Sequence, residues 1–162
     1  MALLRWGESR FTRDVDLVLL TGFGHEDDFI EPLLEAGYTG RIPDAQAFAR
    51  RNRVLLVTAP NGVPVDISLA ALPFEELTVA RATPFEFVPG CILKTCSAED
   101  LIVLKMFAFR PRDLADVESV VSRMALSLDW GYIETHLRPL AEAKDAPEII
   151  SALAGIWSRF DH

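Results

Sequence analysis

The sequence has few cysteines, no long apolar run and no excess of positive charge. Two cysteines, Cys91 and Cys96, occur among its 162 residues, and no histidine or further cysteine accompanies them at metal-ligand spacing. We therefore expect both to be small side chains that are buried or half-buried. The sequence also lacks repeats, low-complexity tracts and Gly/Ser linkers. Because 50% of its residues are apolar, it predicts one compact domain over residues 1–162.

The absence of long apolar segments and of net positive charge excludes several classes of protein. No run approaches the roughly 18 residues of a membrane-spanning helix, and residues 1–8 are too short and too quickly charged for a signal peptide. We expect a cytoplasmic protein without membrane attachment. The net charge of −8 argues against a surface that holds nucleic acid by neutralising many phosphates. The arginines cluster in the sequence, which is explained either by a local positive patch or by solvated helix ends. The clustered arginines are Arg41, Arg50, Arg51, Arg53, Arg110 and Arg112.

Periodicity and turn residues predict strands mixed with helices in residues 1–96 and helices alone in residues 97–162. The Asn61-Gly62 pair predicts an antiparallel hairpin, since both turn positions favour positive φ. This order predicts an α+β fold with a mixed sheet, flanking helices and a helical C-terminal tail, and it excludes a purely parallel sheet. Strands are expected at Asp14–Leu20, Arg53–Thr58, Val63–Leu69, Phe85–Val88 and Ile92–Thr95, and helices before Gly7 and at 26–36, 44–51, 73–81, 97–109, 114–126, 130–142 and 146–159.

Three aspartates lie on strands that are predicted to be neighbours. Strand alternation places Asp14 and Asp16 on one face. Asp66 interrupts an otherwise apolar strand, where a charge is unfavourable unless it is paired or ligated. The three carboxylates are therefore able to converge at one edge of the sheet.

Such a carboxylate set suits a hard divalent cation. Mg²⁺ prefers oxygen ligands and is usually held by a few carboxylates together with substrate phosphates. One ion can lower the pKa of an attacking hydroxyl while another neutralises the leaving pyrophosphate, and Asp66 can also serve as the base. The alternative is that Asp14 and Asp16 cap turns or pair with Arg10 and Arg13.

Several motifs together resemble one known family. The motifs are Arg10-x-Thr12-x-Asp14-x-Asp16, Val65-Asp66-Ile67, the run Ala98–Lys105, and Arg110, Arg112, Asp113 and Asp116. The resemblance is to the AbiEii/AbiGii-type nucleotidyltransferases of the polymerase-beta-like superfamily, and it spans residues 5 to about 120. It implies a nucleotidyltransferase-like mixed sheet and an NTP as co-substrate.

The resemblance implies a role for each residue of the first two motifs. Asp14 and Asp16 would bind Mg²⁺ or Mn²⁺, and Asp66 would be the third carboxylate. Arg10 and Thr12 would orient the aspartates or shape the loop that carries them.

The later motif is expected near the nucleotide by the same resemblance. Lys105 would meet triphosphate oxygens as a point charge, and the turn with Asp113 and Asp116 would complete this motif. The alternatives are an exposed Lys105 that pairs with acidic neighbours, and a solvated or arginine-paired face for the two aspartates.

The chain departs from the family pattern at a glycine motif. The family carries a Gly-Gly or Gly-Ser pair roughly a dozen residues before the first aspartate, on a strand-to-helix turn whose N–H groups cradle phosphate. Residues 1–13 lack such a pair, and Gly7 is the nearest glycine upstream of Asp14. Either the sequence is a truncated version, or its nucleotide-binding turn is impaired, and this departure weakens the prediction of an active enzyme.

The leading hypothesis is a magnesium-dependent nucleotidyltransferase that moves NMP from NTP to a hydroxyl of tRNA or protein. The resemblance makes it the toxin of a toxin–antitoxin pair, with an antitoxin as partner. One alternative is a non-catalytic binding or regulatory module that lacks the glycine motif. The other is an antibiotic nucleotidyltransferase with a small-molecule hydroxyl acceptor, which suits the net charge of −8.

Overall fold

The structure is a computed structural model that describes residues 1–8 and 14–160. Arg10 and Thr12 therefore lie outside the described residues. The described chain forms two compact units: residues 14–80, named the sheet unit, and residues 1–8 with 81–160, named the helical unit. The predicted α+β class is confirmed, with 54% helix and 20% strand. One domain over residues 1–162 stays a prediction.

The helices and strands follow the predicted order. The structure adds a two-residue strand at Thr39–Gly40, which is too short to produce a periodic pattern in the sequence, and a 3₁₀ turn at Ala125–Ser127. Across the described residues, no helix has the length and apolar content needed to cross a membrane. In chain order the elements are α1 (Ala2–Trp6), β1 (Val15–Leu20), α2 (Asp27–Glu35), β2 (Thr39–Gly40), α3 (Ala45–Asn52), β3 (Val54–Thr58), β4 (Pro64–Ala70), α4 (Pro73–Arg81), β5 (Thr83–Val88), β6 (Cys91–Thr95), α5 (Ala98–Ala108), α6 (Pro111–Met124), a 3₁₀ turn (Ala125–Ser127), α7 (Trp130–Ala143) and α8 (Glu148–Trp157).

The sheet unit contains a four-stranded mixed sheet in the order β1-β4-β3-β2. β4 pairs in parallel with β1 and antiparallel with β3, and β2 pairs antiparallel with β3. The predicted exclusion of a purely parallel sheet is therefore correct. Because β4 is central, its register decides which residues stand side by side: Asp66 lies between Asp16 on β1 and Leu56 on β3.

The β3–β4 hairpin is present, but its turn differs from the predicted one. Gly62 has a positive φ of 84°, whereas Asn61 does not. The Gly62 N–H donates to the Ala59 carbonyl at 2.8 Å, and the Ala59 N–H donates to the Val63 carbonyl at 2.8 Å. The loop is thus a turn followed by one left-handed glycine, a common longer hairpin connection. The Asn61 side chain instead accepts a hydrogen bond from the Val63 N–H at 3.2 Å.

Alternation along β4 builds the core of the sheet unit. Asp66 and Ser68 are half-buried on one face, and the residues between and beside them are buried on the other. Each large apolar side chain buried there contributes roughly 1.5–3 kcal/mol, so the apolar face fixes the direction in which Asp66 points. The core cluster comprises Ile30, Ala49, Leu55, Val57, Val65, Ile67 and Leu69.

Ser97 begins α5 in the helical unit, as predicted. Its hydroxyl accepts from the Asp100 N–H at 3.1 Å and donates to the Asp100 carboxylate at 2.9 Å. The Asp100 carboxylate is fully buried and also accepts from the Tyr132 hydroxyl at 2.6 Å. Burial and this hydrogen bond raise the pKa of Tyr132. The capping residues thus also tie α5 to α7.

Helix α6 starts at Pro111, earlier than the predicted start at Leu114. Proline suits the first turn of a helix, because its missing N–H would have no intrahelical partner there. The Asp113 carboxylate accepts from the Arg110 N–H at 3.3 Å and so closes the first turn. The prediction treated Pro111 only as a separator and was wrong at this boundary.

The expectation for the two cysteines is correct for one of them. Cys96 is half-buried, but Cys91 is exposed on β6, so its predicted burial is wrong. The two-stranded sheet of β5 and β6 leaves most of β6 open to solvent. Burial, with the nearby charge of Asp100, raises the pKa of the Cys96 thiol to about 11.

Arg53 joins three segments of the sheet unit. It has a left-handed φ of 57° just before β3. Its guanidinium donates to the Leu69 carbonyl at 2.8 Å, the Gly22 carbonyl at 2.9 Å and the Thr21 hydroxyl at 3.1 Å. It also contacts the Glu26 carboxylate just before α2. One planar cation therefore holds the ends of β1 and β4 to α2.

Replacing Arg53 by Met is expected to lower the free energy of unfolding by roughly 2–3 kcal/mol, because several carbonyls and Glu26 lose a charged donor. Urea unfolding followed by circular dichroism measures the loss. Arg51→Met on the exposed side of α3 is the matched control and is expected to change stability by about 0.5 kcal/mol or less. Equal losses in the two variants would show that the Arg53 contacts add no stability.

Candidate active site

Asp16 and Asp66 lie side by side on the face of the sheet opposite the core. The parallel pairing of β1 and β4 places Asp16 directly opposite Asp66. Neighbouring strands are about 4.8 Å apart, so the two carboxylates project close together to the same side. Asp14 comes just before β1, and its side chain is 41% exposed. With Asp16 exposed and Asp66 at 31%, all three carboxylates are accessible.

Arg41 brings a positive charge to these carboxylates. Its Nη2 donates to Asp66 Oδ1, and its Nη1 lies 3.9 Å from Asp14 Oδ1. The Arg41 backbone N–H donates to the Leu56 carbonyl at 3.0 Å, which fixes the start of the side chain beside β3. A cation supplied by the protein itself therefore stands between Asp14 and Asp66.

Gly40 sets the position of Arg41. A Cβ on Gly40 would lie 2.8 Å from the Cβ of Ala45. The Ala45 methyl is bound directly to the backbone and has no rotation that would move it away. β2 therefore runs this close to the start of α3 because residue 40 has no side chain.

The three carboxylates offer the donor chemistry of a divalent-cation site. They supply oxygen ligands from two neighbouring strands, which is the type of ligand that Mg²⁺ and Mn²⁺ accept. In residues 1–8 and 14–160, no three His, Cys, Asp or Glu side chains converge as metal ligands, and Arg41 contacts two of the carboxylates. The predicted set of Asp14, Asp16 and Asp66 therefore fits by donor type, and Asp16 and Asp66 share one face. The three do not converge as predicted, and their metal role stays a prediction.

Two open clefts of the described chain lie away from these aspartates. One, of about 530 Å³, is in the sheet unit and is lined by residues that include Gly40, Asp44 and Arg50. The other, of about 290 Å³, surrounds the end of α6. Neither cleft is lined by the carboxylates, so a substrate at Asp16 and Asp66 would meet an open sheet face of this unit.

Acidic side chains engage four of the six clustered arginines. The positive charges are therefore neutralised in pairs rather than gathered into a patch. The partners are Asp66 for Arg41, Asp27 for Arg50, Glu26 for Arg53 and Asp113 for Arg110.

Lys105 belongs to an ion cluster of the helical unit. Its Nζ lies 2.9 Å from Asp113 Oδ1 and 2.9 Å from Asp116 Oδ2. The two aspartates are 0% and 4% exposed, so the alternative of a solvated face is wrong. Pairing of Lys105 with acidic neighbours is observed, although the lysine is half-buried. Because Lys105 lies on α5 and the aspartates lie on α6, the cluster joins these two helices.

Arg110 adds a second cation to this cluster. Its Nε donates to Asp113 Oδ2 at 2.6 Å. Burial acts to raise the pKa of Asp113, but hydrogen bonds from Arg110 and Lys105 outweigh it and hold the pKa below its ordinary value of 3.8. Asp113 is therefore ionised at neutral pH although it is buried.

Comparison with known families tests the relationship that the motifs suggested. The family model of the nucleotidyl transferase AbiEii toxin of type IV toxin–antitoxin systems matches residues 1–155 of this chain. The chain belongs to the AbiEii family. The predicted family is therefore confirmed, and the match includes the carboxylates of the sheet unit and the ion cluster of the helical unit. No curated protein matches the chain.

The residues that the AbiEii resemblance singled out fall into two groups within the described chain. The first group is in the sheet unit, where Asp16 is paired with Asp66 and Arg41 contacts Asp66 and lies near Asp14. The second group is in the helical unit and consists of Lys105, Asp113 and Asp116. Arg10 and Thr12 lie outside the described residues, so their roles stay predictions.

Arg41 is the residue at the candidate site that sequence reasoning missed. It was visible as one of several clustered arginines, but no motif connects it with Asp14 or Asp66. Its contact depends on the pairing of Gly40 with Val57 and on the hydrogen bond to Leu56, which the sequence does not predict.

In this AbiEii-family chain, Asp113→Asn removes a carboxylate whose pKa is depressed on folding. Such a group stabilises the fold above its unfolded pKa, near 3.8, and the contribution is lost as pH falls through the lower folded pKa. We expect the variant to lose roughly 2 kcal/mol of unfolding free energy at neutral pH, since Lys105 and Arg110 lose a buried partner. Urea unfolding at several pH values should show this deficit shrinking below pH 3.8.

The matched control is Asp145→Asn, which removes the same charge at an exposed position with a left-handed φ of 51° that asparagine tolerates. It is expected to leave stability nearly unchanged over the same pH range. A deficit for Asp113→Asn that stays constant with pH would contradict the electrostatic explanation.

Proposed function

We propose that this AbiEii-family chain is a magnesium-dependent nucleotidyltransferase, with Mn²⁺ as an alternative ion. It transfers NMP from NTP to a hydroxyl acceptor and acts as a toxin whose partner is an antitoxin. The observation that carries the proposal is the placement of Asp16 beside Asp66 on an open sheet face. This placement occurs in a chain that a nucleotidyl transferase toxin family matches over residues 1–155.

Asp14, Asp16 and Asp66 are the residues that would hold the ion. A bound divalent cation supplies charge neutralisation on the triphosphate and makes an attacking hydroxyl more acidic. The protein presents Asp16 and Asp66 from paired strands whose register is fixed by the apolar face beneath them. Donors on hydrogen-bonded strands are held more firmly than donors on loops, which suits a site that must position reacting groups.

The contacts of Lys105 favour a role in positioning helices over a role in binding the nucleotide. Lys105 bonds both Asp113 and Asp116, so a contact of its ammonium with triphosphate would have to replace at least one buried ion pair. We propose that the main role of the cluster is to hold α5 against α6. The role of Lys105, Asp113 and Asp116 near the nucleotide remains a prediction.

The acceptor is a hydroxyl of tRNA, protein or a small molecule. A macromolecular acceptor accords with the toxin description of the family. The net charge of −8 instead favours a small molecule, because binding RNA through its phosphates needs clustered positive charge. The pairing of Arg41, Arg50 and Arg53 with acidic side chains points the same way.

Asp16→Asn and Asp66→Asn are expected to weaken Mg²⁺-dependent NTP binding by more than roughly tenfold. Loss of a residue that only hydrogen-bonds a metal ligand already lowers metal affinity by about tenfold or more, and these variants alter the ligands themselves. Calorimetric titration of the full chain with MgATP and MgCTP, with and without EDTA, measures the effect. Asp28→Asn, at an exposed position on α2, removes the same charge and is expected to bind as the wild type does. Unchanged binding in all three variants would rule out the carboxylates as the metal site. Failure of the wild type to bind any NTP would favour a non-catalytic module.

Incubation with labelled NTPs is expected to place label on tRNA or protein, and the transfer should be lost in Asp66→Asn. Total tRNA, a cell protein extract and an aminoglycoside or lincosamide antibiotic are offered in separate reactions and then in competition. Label on the antibiotic alone would replace the toxin proposal by the small-molecule one. Label that persists in Asp66→Asn at the wild-type level would show that the transfer does not depend on Asp66 and would contradict its proposed role.

A further inference from the structure

Arg41 is fixed at its backbone, while its side chain is long and partly exposed. Its N–H is bound to the Leu56 carbonyl, directly after the pairing of Gly40 with Val57. From there the side chain passes β3 and reaches Asp66 on β4. It is 26% exposed, so solvent reaches the guanidinium. The attachment point is therefore rigid, and several side-chain torsions remain able to move the charged end.

The guanidinium and a divalent cation would need the same oxygen atoms. Arg41 Nη2 is bound to Asp66 Oδ1, and Nη1 lies 3.9 Å from Asp14 Oδ1. A guanidinium has five donors, no acceptor and a permanent positive charge, so it cannot join the ligands of a metal ion. It competes with a cation for the carboxylate lone pairs and repels it at short range.

The same contact offsets the repulsion between neighbouring carboxylates. Asp16 and Asp66 are adjacent on paired strands, and like charges in that position are unfavourable. The positive charge of Arg41 offsets this repulsion at Asp66 and, more weakly, at Asp14.

We propose that Arg41 is an internal counterion of the carboxylate site, which leaves Asp14 and Asp66 when a divalent cation binds and so sets the affinity for that cation. The inference rests on the proposed function, because it takes Asp14, Asp16 and Asp66 as the cation ligands. In this role Arg41 is neither a ligand nor a catalytic residue. It lowers the affinity for the bare ion by occupying the ligands first.

Binding of Mn²⁺ to the full chain, followed by electron paramagnetic resonance of the free ion, tests this role without measuring catalysis. Arg41→Gln is expected to bind Mn²⁺ roughly threefold to tenfold more tightly than the wild type, as the loss of one partly exposed charged competitor implies. Arg41→Lys keeps the charge but loses the planar fork, so its affinity should lie between these two. Arg51→Gln removes the same charge from an exposed position on α3 and is the control for net charge. Circular dichroism and thermal unfolding verify that each variant is folded.

A second readout follows the guanidinium itself. The Arg41 Nε–H signal in a ¹⁵N-correlated NMR spectrum, identified by its loss in Arg41→Lys, is expected to shift during titration with Mg²⁺. In Asp66→Asn the same titration should leave that signal unchanged.

The outcomes separate the role of Arg41 from the proposed function. Tighter Mn²⁺ binding in Arg41→Gln than in Arg51→Gln supports the counterion role. Equal changes in the two variants would attribute the effect to net charge, and weaker binding in Arg41→Gln would make Arg41 a residue that orders the ligands; either result overturns the inference while the metal site stands. Binding that is absent, or that Asp14→Asn and Asp66→Asn do not diminish, would overturn the metal site and the counterion role with it.

Discussion

The parallel pairing of β1 with β4 is the constraint on which the carboxylate site depends. A register slip of one residue would turn every side chain of β1 to the other face and carry Asp16 toward the core. Val15 and Leu19 pack against the core from β1, and buried residues alternate along β4, so such a slip would also expose the apolar face. Apolar burial thereby holds Asp16 and Asp66 together, although their charges favour separation. Arg41 reduces that opposing force without being the cause of the pairing.

The directions of Asp16 and Asp66 were predictable because they depend only on odd and even positions within a strand, whereas Asp14 lies outside β1. The sequence also placed these two aspartates on neighbouring strands, but their register required the parallel contact of two strands that are distant along the chain. Neither β2 nor the partner of Arg41 was predictable: Thr39-Gly40 has no period, and an arginine next to a loop has many possible acids within reach. No sequence motif signals this contact, because it depends on the tertiary pairing of the strands.

The sequence of the helical unit contains a signal for its buried ion cluster. Lys105 lies in a helix whose Leu101, Ile102 and Val103 are all buried, so that helix has no wide polar face. A lysine in such a helix is expected to be paired, and Asp113 and Asp116 supply the pairs. The sequence did not predict that the two aspartates are buried, since acids spaced three apart on a helix are as common on solvated surfaces as in buried ion clusters.

Gly40 gives the carboxylate site a dependence on an uncharged position. Its missing side chain lets β2 approach Ala45, and the next residue in the chain places the guanidinium at Asp66. A methyl group at this glycine would therefore act at a distance, by moving a charge rather than by removing one. Natural variation at residue 40 would change backbone packing directly, and through Arg41 it would also change the balance of charge on the sheet face.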